Sequence, residues 1–104
     1  MKIHGWQTAS LQNNWQNYGQ NFQTAGYRKI GKQIYLKGLI RHGNSNSIAF
    51  TLPNEYKPVN EIKFATNSDN EGGTAVVTID TNGNVTVNSF SGWVSLAQIN
   101  FFVD

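Results

Sequence analysis

The 104 residues are enough for one small domain with a single core, and too few for two. Only 13% are charged, against roughly 25% in ordinary soluble domains. The net charge is +2 and the basic residues are scattered apart from the pair Arg28-Lys29, so no stripe for a phosphate backbone exists and nucleic acid is not an expected partner. Asn (14) and Gln (7) make up about a fifth of the chain, which leaves amides and hydroxyls to solvate its surface. Without cysteine there is no disulfide framework, thiol nucleophile or Cys-ligated zinc.

Residues 1–10 read as an N-terminal arm leading into a single β-sandwich domain over 1–104. The arm lacks the apolar block of a signal peptide, and no stretch nears the ~18 apolar residues of a membrane span. A soluble chain without membrane insertion is expected. Residues 25–30 form a short strand-like run, joined through Ile30-Gly31-Lys32 to a strand by a hairpin loop of roughly three to five residues. That strand, 33–41, alternates strictly: Ile34, Leu36, Gly38 and Ile40 share one face, and Tyr35, Lys37, Leu39 and Arg41 the other.

Residues 47–52 form the next strand, after the polar loop Gly43-Asn44-Ser45-Asn46. Pro53 and Pro58 then bracket a segment that proline keeps out of a central strand, predicting an exposed turn. A strand over 61–66 is followed by turn chemistry over 67–73. Residues 74–80 and 85–88 flank Thr81-Asn82-Gly83-Asn84, where Asn-Gly predicts a type I′ hairpin turn. In 93–103 the apolar phase slips by one residue, which implies a bulge or burial of both faces. About eight strands without a long helix predict an all-β, antiparallel β-sandwich of jelly-roll-like form.

Catalytic chemistry finds little support. His4 and His42 have no partner at ligand spacing, and of the six carboxylates only Asp69 and Glu71 are neighbours. They resemble a fragment of a calcium loop but lack its regular ligand spacing, so neither metal nor cofactor is expected. No pair of carboxylates is placed for glycoside hydrolysis. Binding is better served, because flat aromatic rings cover the apolar faces of sugars while amides and hydroxyls satisfy their oxygens. Phe50, Phe64, Phe101 and Phe102 read as core fillers, and Tyr35 and Tyr56 as surface rings. The predicted ligand contacts are Tyr56 with the loop amides Asn44, Asn46, Asn67 and Asn70. An outer strand face such as Gln33, Tyr35 and Leu39 lacks the charges that discourage edge pairing, so a homo-oligomer is expected to cover it.

Leu11, Asn13, Trp15, Asn17, Tyr18 and Gly19 open a pattern continued by Ala25, Tyr27, Lys29 and Gly31, then by Tyr35, Leu36, Gly38, Leu39, Ile40 and Gly43. Phe50, Leu52, Pro53, Tyr56 and Pro58 follow, then Val77, Ile79, Asn82, Gly83 and Val85, and last Trp93, Ser95, Leu96, Ile99 and Phe101. In order and spacing this pattern resembles the small β-sandwich modules at the tips of phage tail fibres, baseplate and minor tail proteins. The resemblance implies a non-enzymatic, usually trimeric virion tail component of a phage or prophage, made in the bacterial cytoplasm. Its implied partners are other tail proteins and a host cell-wall glycan or surface protein. Such modules generally cap a long fibre, whereas this sequence reaches its first matched residue at Leu11, as expected either of a separately encoded small virion or prophage protein or of an excised domain. Two rival readings are a trimerisation or assembly cap without host ligand, and a carbohydrate-binding module or small depolymerase of a cell-wall hydrolase system.

Overall fold

The computed structural model describes residues 5–69, 73–88 and 92–103. In chain order its strands are β1 (Gln7–Thr8), β2 (Gln16–Asn17), β3 (Gly26–Ile30), β4 (Gln33–Lys37), β5 (Leu39–Arg41) and β6 (Ser47–Thr51). A single 3-10 turn at Asn54–Tyr56 precedes β7 (Ile62–Asn67), β8 (Thr74–Ile79), β9 (Asn84–Asn88), β10 (Trp93–Ser95) and β11 (Asn100–Phe102). The strands form three antiparallel sheets, ordered β1-β3-β4-β11, β10-β5-β2 and β6-β9-β8-β7. The expected all-β antiparallel class is therefore correct, with eleven strands among the described residues instead of about eight. The extra ones are short: β1 turns part of the N-terminal arm into a strand, pairing Gln7 with Tyr27 and Thr8 with Gly26.

The alternation over 33–41 places Ile34, Leu36, Gly38 and Ile40 inside, as the period of two demands. It is nevertheless two strands in two sheets. At Gly38 the backbone takes φ +117, and its Cα side passes so close to Ala25 that a Cβ would stand 2.5 Å from that residue's Cα. Only glycine allows the chain to leave one sheet and enter the other at this point. The two four-stranded sheets face each other across the core. Tyr27 of β3 stacks on Phe50 of β6 at 6.2 Å, and Phe101 of β11 meets Phe64 of β7 at 6.5 Å. Val77, Ile79, Val85, Val87 and Leu96 are fully buried between them; sealing a side chain of this kind from water contributes about 1.5–3 kcal/mol.

Several local expectations are corrected. The β3–β4 connection has only two residues, Gly31 and Lys32, since Ile30 pairs directly with Gln33. The β8–β9 turn is not type I′: Gly83 has positive φ (+85) whereas Asn82 does not. The Asp80 carboxylate decides this, accepting the backbone N–H of Asn82 at 2.9 Å and of Asn84 at 3.0 Å. The result is a three-residue loop with glycine in the left-handed position. In 93–103 the phase slip is neither a bulge nor double burial. A turn at Ala97-Gln98 ends one strand and starts the next in another sheet, so Val94 and Leu96 point inward and then Ile99 and Phe101 do. Phe102 consequently points out, 62% exposed, and is no core filler.

Candidate functional site

Tyr56, expected at the surface, is buried at 6% exposure. The 3-10 turn, closed by the Tyr56 N–H donating to the Pro53 carbonyl at 2.9 Å, folds the ring back onto the sandwich. There it meets Tyr27 edge-on at 5.3 Å. Burial, then Tyr27 and Glu55, raise its pKa above the usual phenol value of 10.0, while a hydrogen bond with the Gln7 side chain pulls the other way. The folded state thus holds the phenol proton more tightly than the unfolded chain does. That stabilisation is complete below pH 10 and lost as pH rises through the raised value. Denaturation of wild type and Tyr56→Phe should accordingly give a constant difference up to about pH 10, and wild type should lose ground above it.

The loop amides divide. Asn44 and Asn46 belong to a structural corner over the buried indole of Trp15. The Trp15 Nε1–H donates to Ser47 Oγ at 3.0 Å, the Ser47 hydroxyl donates to the Asn44 carbonyl, and the Asn14 amide donates to Asn44 Oδ1 at 3.3 Å. Asn46 takes φ +58, a left-handed conformation that asparagine tolerates better than most residues. Asn70 lies outside the described residues, as do Glu71 and His4. Asp69, weighed as a calcium ligand, accepts the Trp93 N–H on Oδ1 at 3.0 Å, and no cluster of three metal-ligating side chains occurs among the described residues. Of the predicted contacts among the described residues, Asn67 alone lies on the cavity described next.

That cavity lies on the outer face of β10-β5-β2. Because Ile40 and Val94 point inward, their neighbours Leu39, Arg41, Trp93 and Ser95 point outward, and the register sets Trp93 beside Arg41 and Ser95 beside Leu39. Tyr18, just past β2, is tied down by its N–H to the Leu39 carbonyl at 2.8 Å. Phe22 is brought over by a tight turn in which Gln20 and Asn21 both have positive φ, closed by its own N–H to the Gly19 carbonyl. Two adjacent left-handed non-glycine residues cost on the order of 1–2 kcal/mol each. The turn holds a phenylalanine that stays 54% exposed and meets Tyr18 edge-on at 5.1 Å.

The groove so formed has a volume of about 450 Å³, within the size range of small-ligand sites; Tyr18, Phe22 and Trp93 stand around Leu39 of the central strand β5 and complete its apolar lining. A pocket of about 140 Å³ shares Tyr18 and Trp93 with it and adds Arg41, His42 and Asp69. Another of about 180 Å³ shares Asn67, Ser95 and Ala97 and adds Thr66 and Gln98. An apolar centre thus has a charged end and an amide end. The Arg41 guanidinium lies over the Tyr18 ring at 4.6 Å, and its buried Nε has no hydrogen-bond partner. Sequence reasoning left Phe22 unassigned and read Tyr18 and Trp93 only as members of the structural pattern. The legible signals were Leu39 on the polar face of its strand and the turn residues Gly19, Gln20 and Asn21 just before Phe22.

No family model and no curated protein matches this sequence. Among solved structures, the receptor binding protein (gp15) of Listeria phage PSA superimposes with a TM-score of 0.79 over 99% of this chain. The chain shares the fold of a phage receptor binding protein. Identity is 14%, so the likeness is one of backbone architecture, and this chain spans 66% of that protein. The fold likeness agrees with the phage-tail module that the pattern of core and turn residues resembles. No helix among the described residues is long and apolar enough to cross a membrane.

Proposed function

We propose that this chain is a receptor-binding module of a phage or prophage tail, which grips a host cell-surface saccharide in the Tyr18–Phe22–Trp93 groove without chemistry. The observation that carries this reading is an exposed aromatic groove with amide and charged ends, on a fold shared with a phage receptor binding protein. Rings of this kind cover the C–H face of a sugar, and the flanking Gln23, Asn67 and Ser95 side chains offer hydrogen bonds to its hydroxyls. Tyr56, Asn44 and Asn46 serve the fold in this reading, and Asn67 remains a ligand contact. The module acts as a homo-oligomer, a trimer, joined to other tail proteins in the virion.

The test is binding of the purified chain to host cell walls and to a glycan array, with Trp93→Ala and Phe22→Ala beside wild type. Each substitution should weaken binding by roughly 10- to 100-fold, the range for central aromatic anchors. Phe22→Ala should melt within a few degrees of wild type, because so much of its ring already faces water. Undiminished binding by both variants would remove the groove from the mechanism. Light scattering on the same samples should give a trimer mass, and a monomer at all concentrations would exclude the oligomeric part.

A further inference from the structure

The floor of the groove narrows the ligand further, granted the saccharide reading on which this inference rests. We infer that the sugar unit at its centre carries a methyl group, as an N-acetylhexosamine or a 6-deoxyhexose does. Gly38, Leu39 and Ala97 bring no side-chain donor or acceptor to the site, and neither does Phe22. Three of the floor's backbone groups are also committed. The Leu39 N–H donates to the Gln23 carbonyl at 3.0 Å, the Leu39 carbonyl accepts from Tyr18, and the Gly38 carbonyl accepts the Leu96 N–H at 2.8 Å.

A hydroxyl pressed against this floor gives up water and finds no replacement, which is unfavourable for any buried polar group. A methyl at the same place buries apolar surface against apolar surface. The groups able to satisfy ring hydroxyls, Gln23, Asn67 and Ser95, line the same groove, so a sugar that stacks on an aromatic wall can meet them with one edge while its methyl enters the apolar floor. The arrangement selects by what it fails to offer.

The experiment is an NMR titration of the whole chain, following the indole N–H of Trp93, with matched sugars that differ only by a hydroxyl on that methyl: N-acetylglucosamine against N-glycolylglucosamine, L-fucose against L-galactose, and L-rhamnose against L-mannose. At least one methyl-bearing member should bind about tenfold or more tightly than its partner. Leu39→Thr, which places a hydroxyl on the floor while keeping a strand-compatible branched side chain, should cut that preference to below about threefold. Ala97→Ser, at an exposed turn position, should act in the same direction if the first variant does not fold. Equal or tighter binding of all three hydroxyl-bearing sugars overturns the inference while leaving a saccharide site in place. Binding of no saccharide, or indole shifts that depend on protein concentration alone and so mark a second copy in the groove, overturns both.

Discussion

Gly38→Ala should lower the stability of the protein by about 4 kcal/mol, the largest effect expected of any single methyl added to this chain. Two costs combine. At φ +117 an L side chain is strained whatever space surrounds it. The new Cβ would also stand 2.5 Å from Ala25 Cα, 2.7 Å from Ala25 N and 2.8 Å from Thr24 O. All three are backbone atoms, so no side chain can swing away, and relief requires separating the loop before β3 from the sheet-switching point. Against a total stability of roughly 5–15 kcal/mol, such a loss brings a domain this size near its unfolding threshold. Urea denaturation followed by tryptophan fluorescence would measure it, and a loss below about 1 kcal/mol would show that the backbone can yield here.

Gly43→Ala is expected to cost about 3 kcal/mol for a different reason. Its φ is not positive, so alanine suits the backbone. The obstacle is Trp15, whose indole lies flat against the glycine with ring atoms at 1.8, 2.0 and 2.3 Å from the would-be Cβ. The indole cannot retreat, being 3% exposed and fixed by its hydrogen bond to Ser47. The strain is therefore pairwise and should shrink when the ring does. In a Trp15→Phe background the added methyl should cost about 1 kcal/mol or more less than in wild type. A thermal melt should show Gly43→Ala lowered by on the order of 15 °C, and strict additivity with Trp15→Phe would mean that the clash is relieved elsewhere.

Both sites show how far the linear pattern reaches. The strict alternation over 33–41 told correctly which side chains face the core, because burial on one face imposes a period of two whichever sheet holds the strand. It was silent on the break at Gly38, since a glycine in phase with Ile34, Leu36 and Ile40 looks like an ordinary inward position. The asparagines carry turn geometry as well: among the described residues, four of the seven non-glycine residues with positive φ are Asn13, Asn14, Asn21 and Asn46. Tyr56 looked exposed because prolines flank it, yet the 3-10 turn they enclose is short enough to return the ring to the core.

By itself the sequence determined what depends on neighbours along the chain: strands from alternation, turns from Asn, Gly and Pro, and the scarcity of charge that leaves the surface to amides and hydroxyls. It also carried a pattern of core and turn residues that resembles phage-tail modules, and the shared fold agrees with it. Only the tertiary structure decided which aromatic side chains gather around the groove. The pair Tyr18 and Phe22, Leu39 and Trp93 come from three separate parts of the chain, and they meet because β5 lies between β2 and β10 in one short sheet. Sheet order is fixed by long-range pairing and by the sheet switch at Gly38, interactions between residues far apart in sequence that local periodicity does not encode.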